Sequence, residues 1–261
     1  KEIGNLIRQH RVIPTIAGGL HPTFAADTVL EEDGFDYVCL GEGEGAFLEF
    51  LDTLEKGQKI QNMDNIQEKG DAKPKLRPPY EDLNKLPFME RSFLNEQHGV
   101  VHMVTQRGCP FPCSYCAARM YNDMYGTKEY GRRRTIDNVF EEFVDIQSKG
   151  PLNYIIFLDD TFTLNRKWVF EFCKRYKEEF RIPFSLHARA ETINIDMLQA
   201  LREAGCAYIT FGVESGSERL RQEVMKRKVT NQRLIDVFQW SRELGILTTA
   251  NYIIGTPTET I

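Results

Sequence analysis

Three cysteines lie close together in one short segment of the chain. Cys109, Cys113 and Cys116 occupy eight residues with the spacing C-x3-C-x2-C, and no other cysteine or histidine lies near enough to complete a set of four ligands. Three thiolates on one loop can bind three irons of a cubane cluster and leave the fourth iron open for a substrate or cofactor. A structural zinc site is the alternative, but it needs four protein ligands, usually from two C-x2-C-like turns. Because no second turn of this kind is present, the spacing predicts an iron–sulfur loop.

The segment around these cysteines, residues 106–116, has an aromatic residue, Tyr115, directly before the third cysteine. In this it resembles the signature loop of radical S-adenosylmethionine (SAM) enzymes. The resemblance implies that the cysteines bind a [4Fe–4S] cluster whose open iron chelates the amino and carboxylate groups of SAM. An electron from the cluster would cleave SAM to methionine and a 5′-deoxyadenosyl radical. The resemblance also implies a partial barrel of six strand–helix units, with the cluster loop directly after the first strand.

Strand-like and helix-like segments alternate from residue 99 onward. Five strands and four intervening helices are predicted, with strands at 100–105, 154–158, 184–188, 207–211 and 247–254 and helices at 136–149, 165–180, 195–204 and 231–244. Nearly continuous apolar strands separated by helices predict an α/β fold with a parallel sheet covered by helices. Periodicity leaves open whether the sheet is open or part of a barrel. The resemblance favours a partial (β/α)6 TIM-like barrel that is truncated at its C-terminus.

Two strand ends carry charged side chains suited to the methionine part of SAM, and active sites of such barrels collect at these ends. The resemblance implies that Asp159 or Asp160 binds the amino group, since carboxylates accept hydrogen bonds from ammonium. Capping of the following helix is the alternative. Arg189 could bind the SAM carboxylate at two points, and a surface ion pair with Glu191 is the alternative. Tyr115 is expected to border the same site.

The ends of the fourth and fifth strands resemble the ribose-binding and adenine-binding segments of the family. In the first, residues 212–216, the resemblance implies cofactor-binding roles for Glu214, which can accept bonds from a ribose diol, and for Ser215. The flanking glycines would permit close approach of a ligand. In the second, residues 251–259, Ile253 is expected to pack against the adenine ring, and backbone amides around Gly255 to bind the purine edge.

The first 57 residues resemble the closing half of the cobalamin-binding domain that precedes the barrel in cobalamin-dependent radical SAM enzymes. Gly18 and Gly19 follow a short strand, and Glu42 and Gly43 lie in a glycine-rich turn after the next strand. This order of strand, glycine turn and helix predicts part of a doubly wound, Rossmann-like domain. The resemblance implies that these four residues bind cobalamin, with the glycine pair letting its nucleotide tail lie against the backbone. An ordinary tight turn would give the same pattern.

The predicted organisation is part of a cobalamin-binding domain at 1–57, a proline-rich linker at 58–98, and a radical SAM core at 99–261. The net charge of −5 gives no general attraction to nucleic acid or anionic membranes. The one basic run, residues 132–134, is expected to be a solvated helix entry. No apolar run is long enough to span a membrane and no signal-peptide pattern is present, so a cytoplasmic location is expected.

These features predict an enzyme that reductively cleaves SAM and uses cobalamin to methylate an unactivated carbon of a small molecule or natural product. Radical cyclisation or rearrangement, methylthio transfer and a catalytically idle iron–sulfur module are the alternatives. A methylthiotransferase should carry further cluster cysteines in its N-terminal domain, but residues 1–98 contain only Cys39. A reductant such as flavodoxin or ferredoxin is the expected protein partner.

Overall fold

The computed structural model of the protein describes residues 2–10, 13–91, 98–126 and 131–260. The chain divides into two compact units, Lys1–Glu81 and Asp82–Ile261. Among the described residues, no helix combines the length and the apolar character that crossing a bilayer requires.

The first unit is built around a three-stranded sheet. Its elements in chain order are α1 (Glu2–His10), β1 (Ile16–Ala17), α2 (Leu20–Phe24), α3 (Ala26–Leu30), β2 (Tyr37–Cys39), α4 (Glu44–Glu55) and β3 (Ile66–Glu68). β2 is the central strand, paired in parallel with β1 and antiparallel with β3. The parallel pair with its helices has the predicted doubly wound character, and β3 was not predicted.

Residues 58–81 belong to this first unit, so the prediction of a linker over 58–98 is wrong for them. Ile60, Met63 and Ile66 pack with Phe50 of α4 in one buried apolar cluster. Prolines and polar residues dominate this stretch and predicted an unpacked segment. Three apolar side chains at intervals of three residues are nevertheless enough to attach it to the sheet, because each reaches the same cluster. Residues 92–97 of the predicted linker lie outside the described residues.

The second unit contains a five-stranded parallel sheet in which the strand order follows the chain. The elements are β4 (Val100–Met103), β5 (Gln106–Arg107), α5 (Ala117–Met124), β6 (Arg132–Arg133), α6 (Ile136–Lys149), β7 (Tyr154–Phe157), α7 (Arg166–Glu179), β8 (Phe184–Ala188), α8 (Ile195–Glu203), β9 (Cys206–Glu214), α9 (Asn231–Glu243) and β10 (Leu247–Tyr252). The sheet runs β4-β7-β8-β9-β10, and β5 pairs antiparallel with β6 as a separate ribbon. All five predicted strands and four predicted helices are present. Helix α5 and the β5–β6 ribbon were not predicted.

Alternation along the strands divides this sheet into an apolar face and a polar face. Side chains such as Ile155, Leu186 and Phe211 are buried in one large core under the helices. Residues at the next positions, including His187 and Thr210, which pair across β8 and β9, are only half-buried. The helices begin at the predicted places because side chains cap them: Thr135, Asn165, Asn194 and Thr230 each accept a bond from a backbone N–H three residues ahead.

The basic run at 132–134 is not a solvated helix entry, contrary to expectation. The Arg133 guanidinium lies 4.4 Å from the ring centroid of Trp168 and donates a 2.8 Å hydrogen bond to the carbonyl of Phe162. Arg134 forms an ion pair with the buried carboxylate of Glu142. These cations are used to join the β5–β6 ribbon to the helices.

Candidate active site

The three clustered cysteines lie on a loop between β5 and α5 and line one pocket of about 190 Å³. Cys109 and Cys113 are buried and Cys116 is half-buried. Among the described residues, no three His, Cys, Asp or Glu side chains converge as ligands of a single metal ion would. The thiols are instead distributed around the pocket, and thiolate ligands of a cubane cluster each bind a different iron.

The cysteine loop is held in place by hydrogen bonds from segments distant in sequence. The Ser114 hydroxyl donates to the carbonyl of Val224 at 2.7 Å, and the Ser114 backbone N–H donates to the carbonyl of Met225 at 3.1 Å. From the other side, the Asn122 amide of α5 donates to the carbonyl of Cys109 at 3.0 Å. The loop is therefore positioned by side chains and backbone of the unit before any cofactor binds.

The remaining walls of the pocket come from the carboxyl ends of the parallel strands. The pocket-lining residues outside the cysteine loop are Asp160 and Thr161 after β7, His187, Ala188 and Arg189 at the end of β8, Thr210, Gly212 and Glu214 of β9, Arg227, and Asn251 of β10. The structure thus brings four predicted cofactor-binding residues, Tyr115, Asp160, Arg189 and Glu214, together with the three cysteines. Neighbouring ends of parallel strands meet at one edge of a sheet, which is why residues so far apart in sequence converge.

Two buried arginines and two glutamates form a continuous ion-pair network along one wall. Arg189 Nη2 lies 2.6 Å from Glu191 Oε1. Arg227 pairs with both glutamates: its Nη2 lies 3.1 Å from Glu191 Oε2, and its Nη1 lies 3.0 Å from Glu214 Oε1. Arg227 Nη1 is also 3.5 Å from the hydroxyl of Tyr115. The alternative expected for Arg189, an ion pair with Glu191, is present, but it is buried rather than on the surface.

The network sets the charge states of its acidic members. Burial alone would raise the pKa of the Glu191 carboxyl, but Arg189 and Arg227 together hold this pKa below its usual value. Burial raises the pKa of the Tyr115 hydroxyl well above its usual value. At neutral pH the wall therefore carries an ionised Glu191 and a protonated Tyr115.

Arg189 and Arg227 each have one hydrogen-bond donor without an acceptor. In the described part of the chain, Nε of Arg189 and Nε of Arg227 are buried and have no hydrogen-bond partner. Arg189 also lies 3.1 Å from Cys113 Sγ and 3.9 Å from the ring centroid of Phe111. A buried donor without an acceptor costs about 1–3 kcal/mol. The Arg189 guanidinium gives the pocket lining a positive charge, which fits the carboxylate of SAM.

Asp159 does not line the pocket. Its carboxylate is 1% exposed and accepts hydrogen bonds from the backbone N–H groups of Thr105 and Gln106 at 2.6 and 2.9 Å and from the Thr105 hydroxyl at 2.5 Å. Asp159 therefore fixes the chain between β4 and β5, ahead of the cysteine loop. The predicted role in binding the SAM amino group does not fit this position, and Asp160 is the neighbour that faces the pocket.

Three further predicted residues also lie outside the pocket lining. Ser215 is buried, and its hydroxyl accepts a bond from the Ser217 N–H. Ile253 donates its N–H to the Glu214 carbonyl at 2.8 Å, which continues the β9–β10 pairing. Gly255 donates its N–H to the carboxylate of Glu259 at 2.6 Å. Their observed contacts are therefore within the chain.

Sequence reasoning missed Arg227 and misinterpreted Gly212. Arg227 follows a π-helical turn, Leu220–Val224, far from any strand end, and no local pattern predicts that its side chain turns inward. Gly212 was expected to admit a ligand. A Cβ at this position would overlap the carboxylate of Glu214 and lie 3.0 Å from Arg227 Nη1. Glycine is thus needed there to admit the protein's own ion pair, and Glu214 itself has a φ of +70°.

In the first unit, the predicted cobalamin-binding residues fall into two groups. The Glu42 carboxylate accepts the N–H of Tyr80 at 2.8 Å, and a Cβ on Gly43 would lie 3.2 Å from Cys39 Sγ, so packing within the unit explains both residues. Gly19 has a φ of +98° with nothing within 4 Å of the place of a Cβ. At Gly18 a Cβ would make only ordinary contact, 3.8 Å from Cys39. The glycine pair leaves open backbone of the kind that a nucleotide tail can lie against.

Comparison with protein families assigns the chain. The model described as Radical SAM superfamily matches residues 103–261, which include all three cysteines and the four strands of the parallel sheet that follow β4. The chain belongs to the radical SAM superfamily. A B12 binding domain model matches residues 1–51. The predicted combination, part of a cobalamin-binding domain followed by a radical SAM core, is confirmed, and so is the fold class. The predicted cofactors, a [4Fe–4S] cluster, SAM and cobalamin, agree with this combination.

Two curated proteins resemble this radical SAM protein over nearly its whole length. It is 31% identical over 261 residues to an uncharacterized methyltransferase, PH0819, of Pyrococcus horikoshii, covering 94% of this chain and 54% of the relative. It is 26% identical over 266 residues to an anaerobic magnesium-protoporphyrin IX monomethyl ester cyclase of Rubrivivax gelatinosus, covering 95% and 47%. The chain therefore spans about half the length of these curated relatives.

A solved structure shows the same fold. The radical SAM methyltransferase TsrM of Kitasatospora setae, determined with a tryptophan substrate and a SAM analogue, matches with a TM-score of 0.78 at 17% identity, over 99% of this chain and 53% of that chain. The likeness in fold extends to both units, each of which has its counterpart in that chain.

Proposed function

We propose that the complete protein is a cobalamin-dependent radical SAM enzyme that methylates an unactivated carbon of a small molecule or natural product. The observation that carries the proposal is the pocket whose lining brings three cysteines together with Asp160, Arg189 and Glu214 at the ends of three parallel strands. An idle iron–sulfur module would have no use for charged side chains of both signs that converge on one pocket with the cysteines.

In this proposal each side of the pocket binds a different part of SAM. Cys109, Cys113 and Cys116 would hold a [4Fe–4S] cluster, which supplies the electron for reductive cleavage of SAM when it is bound. Arg189 would donate to the SAM carboxylate, and Asp160 would accept from its ammonium group. These residues would orient the ligand and neutralise its charges.

The proposed ribose contact involves Glu214 in a constrained geometry. Its carboxylate already bonds Arg227 through one oxygen at 3.0 Å, which leaves the other oxygen as an acceptor for a ribose diol. Arg227 would hold Glu214 in position, and the Tyr115 hydroxyl lies 3.5 Å from Nη1 of Arg227, the same nitrogen that bonds Glu214. Arg227 is thus a positioning residue in this scheme.

The cobalamin-binding part is proposed to comprise residues 1–81 and to contact the nucleotide tail at Gly18 and Gly19. The supporting observation is the open backbone at the end of β1. Cobalamin would supply the methyl group when bound. The cytoplasmic location remains a prediction, as does a flavodoxin or ferredoxin as reductant.

Radical ring formation is the second candidate, because the Rubrivivax gelatinosus relative is a cyclase. Cyclisation and methylation share SAM cleavage and differ in what the substrate radical does afterwards. Incubation of the complete protein with methyl-labelled SAM separates them, since reductive cleavage leaves the label in methionine and only methyl transfer moves it into the product derived from the substrate.

The experiment that tests the shared step uses the complete protein, reconstituted with iron and sulfide without oxygen and reduced by dithionite. The wild type should convert SAM to 5′-deoxyadenosine, and Cys113→Ala should lose both this activity and the visible absorption of the cluster. Cys173→Ala is the matched control, because Cys173 is a core thiol buried under the helices. Undiminished SAM cleavage by Cys113→Ala would refute the proposed function.

A further inference from the structure

The cysteine loop contributes to a second, open groove that is distinct from the thiol-lined pocket. This groove has a volume of about 900 Å³, and its lining includes Pro110, Pro112, Arg119, Lys226 and Lys228. Both prolines are exposed, and each is bonded directly to a cysteine, Pro110 to Cys109 and Pro112 to Cys113. The groove therefore gives access from solvent to the backbone of the proposed cluster ligands.

The groove is positively charged, although the chain as a whole is acidic. Lys226 and Lys228 are exposed, and neither forms an ion pair within the part of the chain that the structure describes. Arg119 is the third cation, and Asp123, which also lines the groove, lies 3.8 Å from it. Against a net charge of −5 for the chain, a groove with two unneutralised lysines is a local positive site.

The two lysines are presented by a rigid segment. Between them, Arg227 is 2% exposed and forms ion pairs with Glu191 and Glu214, so residues 226 to 228 point outward, inward and outward in turn. Lys226 has a φ of +55°. The two residues just before this segment, Val224 and Met225, accept the hydrogen bonds of Ser114 that anchor the cysteine loop. The lysines and the loop are therefore fixed relative to each other.

We propose that this groove is the docking surface for an acidic flavodoxin-type electron donor, an inference that rests on the proposed function. A flavin exposes an apolar ring edge, and in an acidic carrier protein this edge is surrounded by carboxylates. The exposed prolines suit the ring edge, and Arg119, Lys226 and Lys228 suit the carboxylates. One electron would pass from the anionic flavin hydroquinone, which becomes the neutral semiquinone, to the oxidised cluster, and no proton is transferred.

The test measures binding and electron transfer separately, with a purified flavodoxin as the probe and the complete, reconstituted protein. In the double variant Lys226→Glu/Lys228→Glu, the dissociation constant for flavodoxin should rise about tenfold or more at low ionic strength, because charge reversal opposes the acidic partner. High salt should abolish the difference from wild type. The matched control is Lys167→Glu/Lys174→Glu on α7, which changes the net charge equally at two exposed lysines and should leave binding unchanged.

Electron transfer supplies the second readout. Flavodoxin should reduce the cluster of the double variant about tenfold more slowly at low salt. Dithionite, which needs no docking, should reduce it at the wild-type rate and support SAM cleavage. If dithionite also fails to reduce the cluster of the double variant, the milder Lys228→Gln variant is used instead. It is expected to bind flavodoxin more weakly than the wild type does.

Three results would overturn the inference. The first is equal flavodoxin affinity in the wild type and the double variant. The second is a loss of flavodoxin affinity in the α7 control that equals the loss in the double variant. The third is binding of a ferredoxin, but not of a flavodoxin, by the wild type. Absence of 5′-deoxyadenosine from the dithionite-reduced wild type would instead refute the proposed function, so the two failures are distinguishable.

Discussion

The guanidinium of Arg189 lies 3.1 Å from the sulfur of Cys113, although 76 positions separate the two residues in the chain. The same guanidinium is paired with Glu191 and lies over the ring of Phe111, so its position is fixed from three sides. Only its Nε is without a partner among the described residues. This geometry connects the thiol-lined pocket directly to the charged wall at the end of β8.

The first prediction concerns this arginine. In Arg189→Met, SAM affinity of the reconstituted protein should fall about tenfold or more, because a hydrogen bond to a charged group contributes about 1.5–3 kcal/mol. Arg189→Lys should recover little of the loss, since an ammonium cannot replace the planar fork. Equilibrium binding of SAM is the measurement, with Arg175→Met, a change on the outer face of α7, as the control. Unchanged SAM affinity in Arg189→Met would remove Arg189 from the proposed site.

A second prediction follows from the lowered pKa of Glu191. Since the folded-state pKa lies below the unfolded value near 4.5, ionised Glu191 stabilises the fold above that pH, and this contribution disappears as the pH falls through the folded pKa. Glu191→Gln should therefore lower the free energy of unfolding at pH 7 by about 3 kcal/mol, since it leaves buried arginines with one partner fewer. The difference from wild type should shrink well below pH 4.5.

Urea unfolding of the wild type and Glu191→Gln, at pH 7 and at a pH well below 4.5, measures this difference in the free energy of unfolding. Glu203→Gln is the control, because its ion pair with Lys177 is half exposed and such pairs contribute at most about 1 kcal/mol. A gap between wild type and Glu191→Gln that is the same at pH 7 and below pH 4 would contradict the assigned charge state.

The third prediction separates two adjacent aspartates. Asp159→Ala should lower the free energy of unfolding by about 3 kcal/mol, since it leaves the buried N–H groups of Thr105 and Gln106 without acceptors. Asp160→Ala should change stability by less than about 1 kcal/mol but weaken SAM binding, because this side chain is exposed to the pocket. Urea unfolding and SAM binding of both variants are the measurements. Loss of stability in Asp160→Ala and loss of SAM binding alone in Asp159→Ala would contradict the assigned roles.

The fourth prediction tests the cobalamin contact through the glycine pair. Gly18→Ala should leave both stability and cobalamin affinity near wild type, because its Cβ makes only ordinary contact with Cys39. Gly18→Leu should lower the affinity of the complete protein for cobalamin. Gly19→Ala should destabilise the protein even without cobalamin by about 1–3 kcal/mol, because its φ of +98° is unfavourable for any side chain.

Spectrophotometric titration with cobalamin and thermal unfolding of the cobalamin-free protein measure the two effects. Gly18 is the more informative position, since a change at Gly19 alters backbone strain as well as ligand access. Cobalamin affinity that is identical in the wild type and Gly18→Leu would contradict the proposed path of the nucleotide tail.

Local patterns in the sequence predicted most of the secondary-structure elements and the proposed cluster ligands. The spacing of Cys109, Cys113 and Cys116 is a property of eight consecutive residues, so a single loop can express it without help from the rest of the fold. The five strands of the parallel sheet, β4, β7, β8, β9 and β10, were equally predictable because each is a short apolar-rich run between helical segments. Helix starts such as Thr135 follow from a bond between near neighbours.

Only the tertiary structure decided which polar residues face the pocket. Asp159 and Asp160 are identical in type and adjacent in sequence, but beyond the end of β7 the backbone directs the first toward Thr105 and places the second in the lining of the thiol pocket. Arg227 enters the site because its segment packs against the cysteine loop, and Gly212 is required because Glu214 folds back over it. Such contacts join residues tens of positions apart. Their energy depends on burial and on relative orientation, and neither quantity is encoded in the order of neighbouring residues.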